Sequence, residues 1–351
     1  MKSLDIIVGR ISGFGGVENV IDDWFINLKN EFNIRLVLPI DTLNTDWLQN
    51  KKVYRNKIRF NKRIFIYSSG MLFTIKYLLT TDTEYLVIEN YRIVLIASII
   101  KKIFRKKYVI VSWMHQSLHI KKNMANCLKY ADYHFAIASG IKDQLIEVGV
   151  DRRKIFLIYN PVEKVKQKIK FERNKLKLVY IGRAMLDGQK NLRELLGALA
   201  KLNENFTLTM YGVSSDDIEI VKYIEKLNLG DRIILRGWVR NPWREISSAT
   251  CLVLTSKYEG FGLVLLESIA RGLPVLSSDV RVGSNDIVKN GVNGYLYESG
   301  NITELLTKLQ LISDNGEIFN SSIIKNSIER FYVENYYQYL KSVFDKLNKN
   351  G

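Results

Sequence analysis

Residues 259–267 read EGFGLVLLE and follow the apolar run Cys251–Leu254. We interpret this stretch as the end of a strand, a glycine turn and the start of a helix. Glycines let backbone approach a ligand closely, the first N–H groups of a helix attract an anion, and Glu259 and Glu267 place a carboxylate on either side. The pattern predicts a pocket for a sugar nucleotide. The alternative interpretation is a βα turn whose glutamates are solvated.

Length and composition predict a folded protein with two domains. The chain has 351 residues, of which 47% are hydrophobic and 25% charged, enough for two separate cores. Its longest apolar run, residues 93–100, is too short to span a bilayer, and the N-terminus lacks a signal-peptide pattern. We therefore expect a cytoplasmic location. Cys127 and Cys251 lie far apart, so neither a disulfide framework nor a CxxC metal site is expected.

The positive charge is concentrated in one region. The formal net charge is +16, and residues 51–170 hold 25 of the 52 Lys/Arg but only 8 of the 36 Asp/Glu. A localised basic field attracts polyanions, which include nucleic acid, an anionic membrane surface and a phosphate-bearing glycolipid. A basic surface that only maintains solubility is the alternative. Within this region, residues 91–107 predict a helix whose apolar half packs on a sheet and whose basic end projects toward solvent or a membrane.

The first half of the chain alternates between strand and helix patterns. Helical stretches such as Met71–Leu79 separate the strand-like runs, which favours a mostly parallel sheet covered by helices. The predicted strands are Leu4–Val8, Ile34–Leu38, Arg63–Tyr67, Tyr85–Ile88, Tyr108–Ser112, His134–Ala138 and Ile155–Tyr159.

Two loops of the first half are candidate ligand contacts. GFGGVE at residues 13–18 links a strand to a helix, but Glu18 replaces the last glycine of GxGxxG, so a dinucleotide fingerprint is not supported. WMHQSLH at 113–119 follows a strand, and ligands of α/β sheets bind at strand ends. His115 is therefore a candidate for the reaction site, and His119 is expected to support it without touching the ligand. No cysteine or carboxylate pattern accompanies these histidines, so we expect no metal site.

A second α/β series begins after a polar, basic segment at 161–176, which we interpret as an interdomain linker. Its strands are predicted at Leu178–Gly182, Phe206–Tyr211, Arg232–Leu235, Cys251–Leu254 and Pro274–Ser277. Its helices are predicted at Asn191–Leu202, Ser215–Leu227 and Gly262–Arg271. The aromatic stretch Ser327–Asn348 predicts a terminal helix with a large face to bury.

A basic pair follows the first strand of this second series. GRAMLDGQKN at 182–191 places Arg183 and Lys190 in the loop, where fixed cations would neutralise a diphosphate. Together with the helix start after Gly262, they would stabilise a departing nucleoside diphosphate without a metal ion. The sequence contains no Asp-x-Asp, which disfavours a metal-bridged diphosphate.

These motifs resemble the retaining glycosyltransferases of family 4, which have the GT-B fold. The similarity covers almost the whole chain and is carried by GFGGVE, His115, GRAMLDGQKN, and EGFGLVLLE with GLPV after it. Further stretches resemble, more narrowly, the lipopolysaccharide core 1,6-galactosyltransferases. They are YADYHFAIASGIK at 130–142, RGW at 236–238 with Pro242 and Trp243, and IERFY at 328–332.

The resemblance implies an α/β fold of two doubly wound Rossmann-like domains facing a central cleft, with a C-terminal helix crossing back to the first domain. We expect an acceptor-side domain at 1–160, the linker at 161–176, a donor-binding domain at 177–326 and the returning helix at 327–351. The acceptor-side domain is the part least like the family.

The resemblance also implies roles for individual residues. Arg183 and Lys190 would hold the donor diphosphate, Glu259 the sugar hydroxyls and Glu267 the ribose, while His115 would lie near the reacting centre. Backbone at Trp238 and Val239 would read the nucleobase. The other implied donor contacts are Gly15, Gly16, Gly260, Phe261, Gly262 and Leu263.

The expected function is transfer of galactose from UDP-galactose to a glycan or glycolipid hydroxyl, with retention and without a metal cofactor, in lipopolysaccharide core or other cell-surface polysaccharide synthesis. Peripheral contact with an anionic inner membrane is the expected use of the basic region. A UDP-glucose or UDP-N-acetylhexosamine transferase of capsule or exopolysaccharide assembly is an alternative, as is a UDP-sugar epimerase. Nucleic-acid binding is disfavoured, because no recognisable module is present and the aromatics do not interleave with the basic runs.

Overall fold

Two units make up the described part of the chain, which comprises residues 1–11, 13, 15–57, 62–118, 123–173, 175–202, 204–314 and 319–349. This computed structural model places residues 1–160 and the C-terminal residues from Tyr336 onward in the first unit. Pro161–Asn335 form the second unit.

A parallel seven-stranded sheet, ordered β3-β2-β1-β4-β5-β6-β7, is the frame of the first unit. The central strand β4 is apolar and fully buried, as is typical of a strand in a parallel sheet covered by helices. The strands are β1 (Lys2–Ile7), β2 (Phe32–Leu38), β3 (Val53–Arg55), β4 (Tyr85–Ile88), β5 (Val109–Met114), β6 (Tyr133–Ala136) and β7 (Ile155–Leu157). The helices between them are α1 (Gly16–Asn27), α2 (Arg63–Thr80), α3 (Tyr91–Ile103), α4 (Met124–Leu128) and α5 (Ser139–Glu147).

The strand predicted at Arg63–Tyr67 is wrong, because these residues form the first turns of α2. The short run RIFIY is apolar and aromatic, as in a strand, but the helix continues to Thr80 and buries Gly70, Thr74 and Leu78 at helical spacing. The packing of the later turns therefore decides the conformation of the earlier ones, and the apolar side chains that suggested a strand remain exposed.

The basic end of residues 91–107 projects to solvent only in part. Lys101 Nζ lies 2.6 Å from the Asp132 carboxylate, and Lys106 Nζ donates to the Thr81 carbonyl at 3.2 Å. Lys102, Arg105 and Lys107 are exposed, as expected. Within the described ranges, no helix combines the length and apolar character needed to cross a bilayer.

The second unit is built on a parallel six-stranded sheet ordered β11-β10-β9-β13-β14-β15, beside the two-stranded pair β8 and β12. The strands are β8 (Lys170–Phe171), β9 (Leu176–Ile181), β10 (Phe206–Tyr211), β11 (Ile233–Gly237), β12 (Ser248–Ala249), β13 (Cys251–Leu254), β14 (Val275–Asp279) and β15 (Gly294–Glu298). The helices are α6 (Leu192–Leu199), α7 (Ile218–Lys226), α8 (Leu263–Ile269), α9 (Ser284–Ile287), α10 (Ile302–Asp314) and α11 (Ser321–Asn326). Strand β8 lies inside the segment predicted as a linker, because its backbone continues a ladder to β12.

The last helix, α12 (Val333–Lys349), joins the first unit from Tyr336 onward. Its Phe344 ring enters an aromatic cluster with centroid distances of 4.7 Å to Phe32, 5.3 Å to Tyr85 and 5.5 Å to Phe135. The Trp24 indole N–H donates to the Tyr336 hydroxyl at 3.2 Å. The terminal helix therefore completes the core of the first unit, as the sequence predicted.

Candidate functional site

The carboxyl ends of four neighbouring strands, β11, β10, β9 and β13, carry the loops in which donor-binding residues are predicted. Ligands of parallel α/β sheets bind at this edge, because loops and helix starts converge there. The loop after β9 contains residues 182–191, and the loop after β13 contains residues 255–262. Since β9 and β13 pair directly, the two motifs begin at adjacent strand ends.

Lys190 and Glu259 form an ion pair, with 2.6 Å between Nζ and Oε1. Their side chains are only 12% and 9% exposed. The Thr255 hydroxyl donates to the carbonyls of Lys190 and Asn191 at 3.2 and 3.0 Å, which fixes the end of the cationic loop to the neighbouring strand. Burying these two charges costs desolvation free energy that can offset their mutual attraction. Stabilisation of the fold is therefore a weak explanation for this ion pair.

Arg183 is held by Gln189, a residue that the sequence analysis did not single out. The guanidinium donates to the Gln189 side-chain oxygen. The Gln189 amide nitrogen in turn donates to the Tyr258 carbonyl at 3.2 Å, and the Gln189 backbone carbonyl accepts from the Lys257 N–H at 2.8 Å. Gln189 therefore ties the arginine to the loop that presents Glu259.

Glu267 is held by Trp243, whose indole N–H donates to Oε2 at 2.8 Å. Burial raises the pKa of the Glu267 carboxyl, and the Trp243 hydrogen bond opposes that shift. The Arg271 guanidinium lies over the Trp243 ring, 4.8 Å from its centroid. Trp243 contributed to the family resemblance but was not predicted as a site residue, because its distance of 24 residues from Glu267 gives no sign of contact.

The turn at 260–263 is shaped by two glycines in the left-handed region. Gly262 has φ +90° and precedes the first residue of α8, Leu263. Gly283 has φ +99°, and a Cβ there would lie 2.2 Å from the carbonyl oxygen of Phe261. The backbone of the turn at Phe261 therefore packs directly on the backbone at Gly283. Phe261 is buried, whereas Gly260, Gly262 and Leu263 are partly exposed and remain candidate ligand contacts.

The predicted nucleobase loop follows β11. Gly237 has φ +64° and donates its N–H to the Val213 carbonyl at 2.8 Å, and its carbonyl accepts from the Gly212 N–H. A Cβ on Gly212 would lie 2.2 Å from the Gly182 carbonyl oxygen, so three strand ends meet here with no room for a side chain. Trp238 comes next and is 70% exposed, and Val239 follows it.

His115 lies just after β5 in the first unit. Its ring stands edge-on to Trp113, with centroids 4.3 Å apart. The Nε2 atom is enclosed and has no hydrogen-bond partner among the described residues. This desolvation lowers the pKa of the imidazole to about 3, so the ring is neutral near pH 7. His119 lies outside the described residues.

The glycine-rich loop of the first unit is closed by Glu18. Gly15 precedes α1 and Gly16 is its first residue. The buried Glu18 carboxylate accepts from the Gly13 N–H at 2.7 Å, and a Cβ on Gly15 would lie 2.7 Å from Glu18 Oε2. The glutamate that replaces the last glycine of a dinucleotide motif therefore shapes this loop.

The structure brings Lys190, Glu259 and the Gln189-linked Arg183 together in the second unit, with Glu267 one helix turn beyond the glycine turn. His115, Gly15 and Gly16 belong to the first unit. Across the described residues, no group of three or more His, Cys, Asp or Glu side chains could hold a metal ion. The site in the second unit offers two cations and two carboxylates, a combination suited to a ligand that carries both phosphates and hydroxyls.

Comparison with known proteins identifies the family of this site. Residues 161–330 match the family described as Glycosyl transferases group 1. The chain is 33% identical to the lipopolysaccharide 1,6-galactosyltransferase of Salmonella typhimurium, over 97% of this chain and 98% of the relative. It is also 33% identical to the enzyme of the same name in Escherichia coli, over 95% of each chain.

Solved structures give the same answer for the fold. A lipopolysaccharide outer core galactosyltransferase in its apo form superimposes with a TM-score of 0.87 at 31% identity, covering 98% of this chain and 99% of the other. The Anabaena protein HepE in complex with UDP gives a TM-score of 0.78 at 19% identity, covering 99% and 100%. The chain therefore belongs to the group 1 glycosyl transferases, and it is a hexosyltransferase with the GT-B fold.

Proposed function

We propose that the protein transfers galactose from UDP-galactose to a hydroxyl of a lipopolysaccharide core glycan or glycolipid, with retention at the anomeric carbon. The names of the Salmonella and Escherichia coli relatives support the sugar and the pathway. The UDP bound by the Anabaena neighbour supports the nucleotide.

The buried contact between Lys190 and Glu259 is the observation that carries this proposal. An ammonium group has three donors, so Lys190 can hold Glu259 and still donate to a phosphate oxygen. The 2.6 Å contact fixes the carboxylate, and a fixed carboxylate is suited to orienting sugar hydroxyls beside the diphosphate. The pair thereby couples recognition of the sugar to recognition of the charge that leaves with UDP.

Arg183 and Lys190 would supply the electrostatic part of catalysis. Bond breaking runs ahead of bond making, and the two cations stabilise the charge that develops on the leaving phosphate. That phosphate accepts the proton of the acceptor hydroxyl on the same face of the sugar, so the reaction needs neither a metal ion nor a dedicated carboxylate base. Glu267 binds the ribose, and backbone at Trp238 and Val239 reads the base.

A screen of UDP-sugars tests the proposal, with UDP release measured in the presence and absence of lipopolysaccharide core acceptors. We expect UDP-galactose to give the highest kcat/KM, release that depends on the acceptor, and an α-linked product by NMR. UDP-glucose or UDP-N-acetylhexosamine as the preferred donor would contradict the assignment of galactose. A changed UDP-sugar after incubation with donor alone would instead identify an epimerase.

We also propose that the first unit contacts an anionic inner membrane through α2. The side chains of Ile64 and Leu72 are each 70% exposed and that of Phe65 is 51% exposed. Their helical positions place them on one side of the helix, and the exposed Lys62 and Lys76 flank them. An apolar face bordered by lysines suits the interface of an anionic bilayer.

Flotation with phosphatidylglycerol-containing liposomes tests this contact. Replacing Ile64 or Leu72 singly by Ser should lower the partition coefficient by about tenfold to a hundredfold in each case, because one such apolar side chain contributes roughly 1.5–3 kcal/mol when buried. Ile218→Ser changes a side chain of α7 that is 58% exposed and serves as the matched control. Binding that is insensitive to salt, to anionic lipid or to the α2 substitutions would contradict the proposal.

A further inference from the structure

A polar cleft of about 710 Å³ lies within the first unit and has no assigned role. It is formed at the carboxyl edge of the sheet, where residues that follow β1, β4 and β5 meet the first turn of α2. This is the edge at which ligands of parallel α/β sheets bind, and the volume is within the range of small-molecule sites. One wall is Gln116, the residue next to His115.

Three arginines, Arg10, Arg63 and Arg92, line this cleft and are exposed. The Arg92 guanidinium lies over the Tyr91 ring at 5.6 Å, and none of the three forms an ion pair among the described residues. Among the described residues of the lining, Glu89 is the one carboxylate, and its Oε2 accepts the Gly9 N–H at 3.0 Å. Positive charge therefore exceeds negative charge around an open cleft.

The remaining lining residues are neutral hydrogen-bonding and aromatic groups. They are Gly9, Tyr67, Asn90, Tyr91, Gln116 and Asn123. Amides and hydroxyls bind sugar hydroxyls, and tyrosine rings can pack against the C–H faces of a sugar. An arginine fork binds planar or tetrahedral oxyanions in a bidentate manner.

We infer that this cleft binds a saccharide acceptor that carries an oxyanion, either a phosphate or a carboxylate, and that Arg63 and Arg92 recognise this group. The inference rests on the proposed function and adds to it the chemical class of the acceptor. A flat lipid surface is a poorer occupant, because the basic groups line a concave cleft whose other groups match a saccharide.

Ligand-observed NMR titration tests the inference with three probes: methyl glucoside, methyl glucoside 6-phosphate and methyl glucuronide. The wild-type protein should bind at least one anionic probe at least about tenfold more tightly than the neutral one. Arg63→Gln and Arg92→Gln should each weaken that binding by about tenfold to a hundredfold, the range for one charge-assisted hydrogen bond. The preferred anionic probe tells phosphate from carboxylate.

Arg152→Gln is the matched control, because Arg152 is exposed in the same unit and does not line the cleft. It should bind all three probes as the wild-type protein does. Equal affinity of the wild-type protein for charged and neutral probes would overturn the inference. An equal loss of affinity for all three probes in the Arg63 and Arg92 variants would do the same. So would displacement of the anionic probe by phosphatidylglycerol vesicles but not by inorganic phosphate.

These titrations need no donor, so they separate the two proposals. If no UDP-sugar is turned over but the arginine variants lose the anionic probe, the cleft is an oxyanion site and the proposed transfer is wrong. If transfer occurs and the probes show no preference for charge, the transfer stands and the acceptor class is wrong.

Discussion

At the scale of single residues, the proposed donor site contains two carboxylates whose partners come from distant parts of the chain. Lys190 fixes Glu259, and Trp243 fixes Glu267. The partners differ in kind, since an ammonium group balances the charge of the first carboxylate and a neutral N–H serves the second. Substitutions of the two glutamates should therefore have different effects on kcat and on UDP affinity.

Replacing Glu259 by Gln should lower kcat by about a hundredfold, the size of effect expected when a reacting group is misplaced. The UDP dissociation constant should change by less than about threefold, because the proposed role of Glu259 is to bind the transferred sugar and not the nucleotide. Steady-state kinetics at saturating donor and calorimetric titration of UDP measure the two quantities. Full activity of this variant would disprove the orienting role of Glu259.

Replacing Glu267 by Ala should have the opposite profile. Loss of hydrogen bonds between a carboxylate and the ribose should raise the UDP dissociation constant by about tenfold to a hundredfold. At saturating donor, kcat should stay within about threefold of the wild-type value. Steady-state kinetics and calorimetric titration of UDP test this expectation as well. A lower kcat with unchanged UDP affinity would assign Glu267 to the reacting sugar instead.

Trp243→Phe should make UDP binding more sensitive to acid. Burial raises the pKa of Glu267 and the indole N–H opposes this shift, so removing the N–H raises the pKa further. If Glu267 binds the ribose as proposed, protonation removes the charge that receives the ribose hydroxyls, and UDP affinity should therefore fall at a higher pH than in the wild-type protein. Titrations between pH 5 and 8 test this, with Trp47→Phe in the first unit as the control. Superimposable pH profiles would rule out the coupling.

At the scale of elements, a buried polar cluster fixes α2 to the first sheet. The Asp5 carboxylate of β1 is 1% exposed and receives two hydrogen bonds, at 3.0 and 2.9 Å, from Arg35 of β2. It also accepts from the hydroxyls of Tyr77 in α2 and Thr81 just after it. One carboxylate therefore joins two strands and the helix whose first turn lines the arginine cleft.

Asp5→Ala should destabilise the protein by about 3–5 kcal/mol, because it leaves the partners of a buried charge unpaired. The midpoint of thermal unfolding should fall by on the order of 10 °C. Asp143→Ala alters an exposed carboxylate of α5 and should shift the midpoint by no more than about 1 °C. Equal midpoints for the two variants, measured by circular dichroism, would show that the cluster contributes little.

Much of the architecture follows from local pattern, and the exceptions have physical reasons. Strands Tyr85–Ile88, Phe206–Tyr211 and Cys251–Leu254 are predicted to the residue, because each is a short apolar run bounded by breaks. Arg63–Tyr67 misleads because a short apolar and aromatic run fits a strand equally well, whereas its helix is decided by residues buried further along α2. Strand β15 and helix α10 were not predicted.

The site is predictable in position but not in its contacts. Sequence places Lys190 and Glu259 after two strands, yet only the direct pairing of those strands brings the residues together. Trp243 and Gln189 lie in motifs that carry the resemblance, but the sequence gives no sign that they hold Glu267 and Arg183. The arginine cleft is not predicted, because the sequence pattern at Arg63–Tyr67 indicates a strand, whereas these residues begin α2 and contribute two residues to the lining.

At the scale of the whole molecule, histidine burial should make stability depend on pH. Burial lowers the pKa of His134 to about 4, against an ordinary value of 6.5. A depressed folded-state pKa means that the unfolded state binds more protons, so stability is lost as the pH falls from 6.5 toward 4. His115, which is also depressed, acts in the same direction.

The free energy of unfolding should therefore fall by up to about 1.4 kcal/mol per pH unit for each of these histidines across that window. His134→Gln should give a flatter dependence than the wild-type protein. Urea denaturation at pH 4.5, 5.5 and 6.5 measures the slopes, and parallel slopes for the two proteins would contradict the assignment.

The position of α12 has a consequence for how the protein is made. Phe344 occupies the aromatic centre of the first unit, yet it is synthesised after the entire second unit. While the ribosome is still translating, the amino-terminal sheet has all its strands but lacks the helix that covers Trp24 and Phe32. The nascent first unit therefore exposes an apolar face until α12 is synthesised, and a chaperone that binds aromatic surfaces would bind it during that interval.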